Sequence, residues 1–148
     1  IRKESGDSEV FLLGILKGAT CLTADLLRAV GGPVSFGFVD VVRDLSDNET
    51  ATAIELDFLS YTDISGRNVY VLKDIVTTGI IESYLLAHLR QERPSSLKLV
   101  ALLDRPEART TEVRTDHHLF KVGEGTFVGY GLEFEGRLGN LSHIARVG

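Results

Sequence analysis

Apolar positions in this chain fall into runs of two lengths, short continuous runs and longer stretches with helical spacing. EVFLLGIL (9–16) is a near-continuous apolar run of strand length, the pattern of a strand buried on both faces. Ala19–Val30 carries Leu22, Leu26, Leu27 and Val30 on one helical side, and Gly31-Gly32-Pro33 ends it. Val34–Val42, rich in Val and Phe, predicts a second strand. RDLSDNETAT (43–52) has no apolar period and predicts an exposed loop or flexible hairpin, with Ala53–Leu59 as its return strand. Val69–Leu72 predicts a further buried strand. A polar turn through Gly79 then leads into a helix whose buried face would hold Ile81, Tyr84, Leu85, His88 and Leu89. Past the breaker Arg93-Pro94-Ser95-Ser96, Leu97–Leu103 predicts another buried strand, and Asp104–Arg109 a charged turn beyond it. Leu119–Val122 and Thr126–Tyr130 predict short strands, Glu135–Asn140 a polar turn, and Leu141–Val147 the final segment. Ile1–Ser8 is polar and predicts a tail ahead of a single domain over 9–148.

Strand–helix–strand alternation predicts an α/β fold with a mostly parallel central sheet flanked by helices. The apolar strands 9–16, 69–72 and 97–103 each run into a polar, charged or glycine-bearing turn: Lys17-Gly18, Asp74–Gly79 and Asp104–Arg109. If these strands are parallel, the three turns share one sheet edge and form one crevice, where open α/β sheets bind ligands. Thr77-Thr78-Gly79 marks a strand-to-helix handover, with free backbone N–H groups, two hydroxyls and the positive helix end; this suits a phosphate. Asp74 is expected just past the strand end. An ordinary strand–turn–helix with threonine caps gives the same pattern.

The composition narrows the function. Net charge is −5, which disfavours nucleic-acid binding by a basic surface. The single cysteine, Cys21, rules out an intramolecular disulfide and fits a reducing, cytoplasmic setting. It lies in an apolar helical stretch and reads as a structural thiol. No apolar run has membrane-spanning length and no signal peptide is visible, so no membrane partner is expected. The neighbours His117 and His118 would point to opposite faces of a strand, and His88 and His143 lack ligand-like spacing, so no zinc site is expected.

Four segments in order resemble the hypoxanthine-guanine branch of the type I phosphoribosyltransferases. They are FLLGILKGATCLTADLLRAV (11–30), VYVLKDIVTTG (69–79), LVALLDRPEAR (99–109) and FVGYGLEFEGRLGNLSHI (127–144). The resemblance implies phosphoribosyl transfer from phosphoribosyl pyrophosphate (PRPP) to a 6-oxopurine, with Mg²⁺ as cofactor and a homo-oligomer (dimer or tetramer) as the assembly. It implies that Lys17 and Gly18 hold the pyrophosphate, with Leu16-Lys17 in a cis form. Asp74 would bind the ribose hydroxyls, and Thr77, Thr78 and Gly79 would cradle the 5′-phosphate. Arg105, Phe127 and Glu133 would lie on the purine side, with Tyr130 or Phe127 supplying the ring that packs on the base. Asp74 and Glu133 would be the metal ligands, and Asp74 with Thr77 would occupy the catalytic positions.

The chain departs from that pattern where the chemistry is concentrated. The family has acids at the positions of Lys73, Asp74 and Thr77, whereas here the three charges cancel. A threonine hydroxyl does not titrate near neutral pH, so Thr77 cannot take a purine proton as the family's aspartate would. In the 43–52 loop the family's Ser-Tyr pair is replaced by Arg43-Asp44, and Gly139 stands where the family has a pyrophosphate-binding arginine. Lys73 either neutralises substrate charge in place of metal or points away from the site. Three functions stay open: a transferase, a paralogue that binds purine nucleotide or PRPP in a regulatory role, or another doubly wound α/β binding domain.

Overall fold

The computed structural model describes residues 1–44, 53–59 and 63–148. Its elements, in order, are α1 (Arg2–Ser5), β1 (Val10–Ile15), α2 (Thr20–Ala29), β2 (Val34–Asp44), β3 (Ala53–Phe58), β4 (Asn68–Val76), α3 (Ile80–Gln91), β5 (Ser96–Asp104), β6 (His117–Lys121), β7 (Thr126–Val128) and β8 (Ala145–Val147). A 3₁₀ turn, Pro106–Ala108, follows β5. Six strands form one sheet in the order β3-β2-β1-β4-β5-β6. All neighbours in it are parallel except the antiparallel pair β2–β3. β7 and β8 make a separate antiparallel pair.

The continuous apolar runs read as strands because both faces of the sheet are covered. Period two sorts each strand between two cores. Phe11, Leu13 and Ile15 of β1 join Val69 and Val71 of β4, Leu99 and Ala101 of β5, and Leu85, Leu86 and Leu89 of α3. Val10 and Leu12 join Tyr70, Leu72, Val100 and Leu102 on the opposite face, under Leu22 of α2 and Leu132. Each buried Val, Leu, Ile or Phe among them stabilises the fold by about 1.5–3 kcal/mol. The strands 9–16, 69–72 and 97–103 are therefore parallel neighbours, and their C-terminal ends share one edge.

Several expectations are corrected. Residues 1–8 are tied down rather than forming a tail. The Arg2 guanidinium donates to the carbonyls of Ser8, Gly31 and Pro33, each at 2.7 Å. The Glu4 carboxylate accepts from the Tyr70 hydroxyl at 3.0 Å and pairs with Lys98 at 2.9 Å. Lys98 and His117 together hold the Glu4 carboxyl at about 2. Burial, followed by Glu4, pushes the Tyr70 hydroxyl up to about 12.

β4 runs on to Val76, so Lys73 and Asp74 lie inside a strand rather than past its end. On α3 the buried residues are Glu82, Leu85, Leu86 and Leu89, while Tyr84 and His88 are exposed. His88 lies outside the core, stacked on Phe58 of β3. The buried stripe is thus rotated by one position, and it includes an acid that apolar spacing alone passes over. Arg43 and Asp44 belong to β2, paired with Ile54 and Ala53 of β3, rather than to a loop. The rest of the expected hairpin loop, 45–52, lies outside the described residues.

Candidate active site

β1 delivers its chain end to the crevice at Leu16-Lys17, a cis peptide bond. Gly18 follows, packed on β4. An ideal Cβ there would lie 1.8 Å from Asp74 Oδ2, so only glycine lets the two strand ends approach this closely. Asp74 is held from its other side as well: Lys73 Nζ is 2.8 Å from Oδ1, and both side chains are only 16% exposed. Oδ1 is buried and accepts no aligned hydrogen bond, so Lys73 acts on it as a charge. Lys73 is therefore not a solvated strand-end lysine.

β4 then turns into α3. Gly79 occupies the N-cap position with φ 80°, a left-handed conformation that glycine adopts without cost. The Thr78 hydroxyl accepts from the Ile80 N–H at 3.4 Å, a weak cap that leaves other first-turn amides for a ligand. The Thr78 carbonyl accepts from the Thr110 N–H at 3.0 Å and from the Thr111 hydroxyl at 3.2 Å. These bonds hang the loop after β5 on the 77–79 turn.

Arg105 begins that loop, with its N–H bonded to the Val76 carbonyl at 3.0 Å and its guanidinium 3.8 Å from the exposed Glu124. Arg109 is less available than its strand-end position suggested. It pairs with the buried Asp104, which also accepts from the Thr115 hydroxyl at 2.8 Å. The pair braces the loop from within.

A C-terminal segment closes the crevice. Gly131 (φ 96°) lies against the Gly18 carbonyl, to which an added Cβ would approach within 2.4 Å. Beyond it, Glu133 reaches Lys17 Nζ at 2.6 Å. The Tyr130 hydroxyl donates to Asp25 of α2, and burial, then this bond, pushes its pKa up to about 12. Tyr130 is thus anchored at its polar end. Phe127 belongs to β7 and lines an open, mostly apolar pocket of about 360 Å³ with Leu103, Phe120, Lys121, Val122 and Ile144.

The structure therefore joins Lys17, Gly18, Asp74, Thr77, Thr78, Gly79 and Glu133 around one sheet edge, with Arg105 on its flank. It adds residues that pattern reading missed: the Lys73–Asp74 pair, the Tyr130–Asp25 bond and Glu82. Glu82 is buried on the first turn of α3; burial raises its pKa against the opposing pull of its own backbone N–H, Lys73 and Arg109. GYG (129–131) was the available signal for the closing segment.

The two carboxylates expected to hold a metal do not fit one as they stand. Asp74 Oδ1 faces an ammonium and Oδ2 faces Gly18, while Glu133 is engaged by Lys17. Among the described residues no three His, Cys, Asp or Glu side chains cluster to hold a metal ion.

Comparison with known proteins gives a consistent picture. Residues 1–135 match the phosphoribosyl transferase domain family. The chain is 32% identical over 148 residues to a hypoxanthine-guanine phosphoribosyltransferase of Bacillus subtilis, covering 97% of this chain and 80% of that protein. It is 36% identical over 135 residues to the bifunctional protein TilS/HprT of Listeria monocytogenes, where the match spans 90% of this chain but only 20% of the longer protein. A crystal structure of a hypoxanthine-guanine phosphoribosyltransferase from Bacillus anthracis superposes with a TM-score of 0.87 at 28% identity, covering 98% of this chain and 83% of that one.

Proposed function

The chain belongs to the hypoxanthine-guanine family of type I phosphoribosyltransferases, and from that premise we propose how its site transfers the 5-phosphoribosyl group of PRPP to hypoxanthine or guanine. The observation that carries the proposal is the convergence of Lys17-Gly18, Asp74–Gly79 and Glu133 on one sheet edge.

The 5′-phosphate sits on the 77–79 turn, against the N-terminal amides of α3. Asp74 accepts from the ribose hydroxyls. Lys17, 72% exposed at its side chain, exchanges Glu133 for the pyrophosphate. Arg105 donates to the purine 6-oxo group, and Glu133 and Phe127 border the base. A purine ring nitrogen attacks C1′ as the C1′–O bond to pyrophosphate breaks, the bonding pair leaves with pyrophosphate, and the ring proton passes to solvent water. No covalent nucleophile is needed, so the protein's contribution is positioning and charge. Thr77 can donate or accept a hydrogen bond but cannot hold the proton. That is a departure from the acid the resemblance implies, and losing such a group costs roughly 100- to 10,000-fold in rate. Mg²⁺ is the implied cofactor. Because the donor set does not fit it, no step here runs through it.

A pyrophosphate-release assay with PRPP and each of hypoxanthine, guanine and xanthine, beside Thr77→Asp, tests the proposal. Turnover by the native chain supports it. Silence in the native chain with activity in Thr77→Asp marks a transferase scaffold without its base. Silence in both favours a second reading, a purine-nucleotide or PRPP-binding regulator, which the lysine-paired state of Asp74 and Glu133 also supports. The proposal extends to a cytoplasmic setting, supported by the lone Cys21. It extends also to a homo-oligomer, supported by Ile80 and Tyr84 exposed on α3 with Leu59 after β3. Sedimentation would read the oligomeric state.

A further inference from the structure

We infer that Lys73 supplies, as a built-in ammonium, the positive charge that a divalent cation would otherwise bring to Asp74, so the chain binds pyrophosphate-bearing ribose without needing Mg²⁺ at that carboxylate. The inference rests on the phosphoribosyl-transfer reading and concerns how that same site balances charge.

Asp74 is crowded at both oxygens. Oδ1 lies 2.8 Å from Lys73 Nζ, and Oδ2 is pressed against Gly18, where even one added carbon would sit 1.8 Å away. Mg²⁺ requires near-octahedral oxygen ligands at about 2.0–2.1 Å and gives up water reluctantly. An ammonium needs no such shell and brings its charge on a tether. Lys73 is placed for this role because its side chain is mostly buried, with 16% exposed, and its ammonium lies against the Asp74 carboxylate, with the buried Glu82 also within its field. A solvated surface lysine would do neither. Three residues on, Thr77 adds no negative charge that a metal would have to neutralise.

The other side of the mouth works the same way. Lys17 and Glu133 are paired at 2.6 Å, so in these two pairs two lysines and two carboxylates cancel without an added ion. When the anion arrives, the exposed Lys17 can swing to it, whereas the buried Lys73 stays and keeps Asp74 neutralised. Two lysines replace a charge-matching function that carboxylates and metal would share.

The test is calorimetric titration of the full chain with PRPP, and separately with inorganic pyrophosphate, in EDTA and in excess Mg²⁺. The wild-type affinities in the two buffers are expected to agree within about threefold. Lys73→Gln is expected to lose about tenfold or more in EDTA, the scale of one hydrogen bond to a charged group. Lys73→Arg should retain most of the affinity, and Lys73→Glu should bind only with Mg²⁺ present. Thermal melts of each variant confirm that it is folded. Wild-type binding that appears only with Mg²⁺ overturns the inference while leaving the transferase reading in place. So does a Lys73→Gln variant with wild-type affinity in EDTA. If neither ligand binds in either buffer, both the inference and the transferase reading fall.

Discussion

Gly18→Ala is the sharpest probe of the closeness of the two strand ends. The added Cβ would lie 1.8 Å from Oδ2, 2.5 Å from Cγ and 2.9 Å from Cβ of Asp74. Non-bonded carbon contacts settle near ~3.5–4.0 Å, so the overlap exceeds ~1 Å for the carboxylate. Rotating χ1 of Asp74 cannot clear it, because the Asp74 Cβ is itself too close. The backbone of β4 or of the Lys17-Gly18 turn must shift. Overpacking of this kind costs about 1–3 kcal/mol. At about 2 kcal/mol, and ~2–4 °C per kcal/mol for a chain of this length, Tm falls by about 4–8 °C. The site suffers more than the fold, since a ~1 Å misplacement of a positioning group costs about 100-fold in rate. Gly123→Ala is the internal control: nothing lies within 4 Å of its added Cβ, and its stability should change by less than about 0.5 kcal/mol. Calorimetric melts and pyrophosphate titrations of both variants provide the comparison. An unchanged Tm together with unchanged affinity in Gly18→Ala would refute the claim that these strand ends are in forced contact.

Two other perturbations separate charge from packing. Burial holds the Glu82 carboxyl above its ordinary range, so the folded chain keeps that proton more tightly than the unfolded one, and stability falls as pH rises from 4.5 through the folded pKa. Glu82→Gln should therefore melt above wild type at pH 7, with the gap closing toward pH 4; a wild type that melts higher at pH 7 contradicts this. Lys17→Ala breaks an exposed ion pair worth about 0–1 kcal/mol, so its Tm should barely move while pyrophosphate affinity falls by about tenfold or more. A variant that loses stability but retains affinity would assign Lys17 to the fold rather than the ligand.

The sheet was legible because burial on both faces leaves continuous apolar runs, and EVFLLGIL, VYVL and LKLVALL each mark a central strand. The crevice was legible for the same reason, since parallel neighbours must end on one edge. The ends of elements were harder to read. β4 continues through Lys73 and Asp74 because pairing with β5, not hydrophobicity, sets its length. Tyr84 was placed on the buried face because aromatic residues count as apolar, yet Glu82 is the residue buried on that turn, near Lys73 and Arg109. Helical periodicity cannot anticipate a polar group whose partners lie on other elements. Residues 1–8 carry no pattern at all; their order comes from Arg2 bonding the Ser8 carbonyl nearby and the Gly31 and Pro33 carbonyls far along the chain. The sequence left open whether Lys73 neutralises substrate charge or points away from the site, and the contact of its ammonium with Asp74 is visible only in the folded chain.

The Gly18–Gly131 contact also has a consequence for biosynthesis. All six strands of the main sheet lie before residue 122, so the sheet can assemble while the last part of the chain is still on the ribosome. Glu133 and the glycine that seats it against the Lys17 turn come later. During synthesis there is thus an interval in which the phosphate turn exists but its mouth is unclosed, with Lys17 lacking its partner. The 129–133 segment then docks onto an edge where β1 and β4 are already paired.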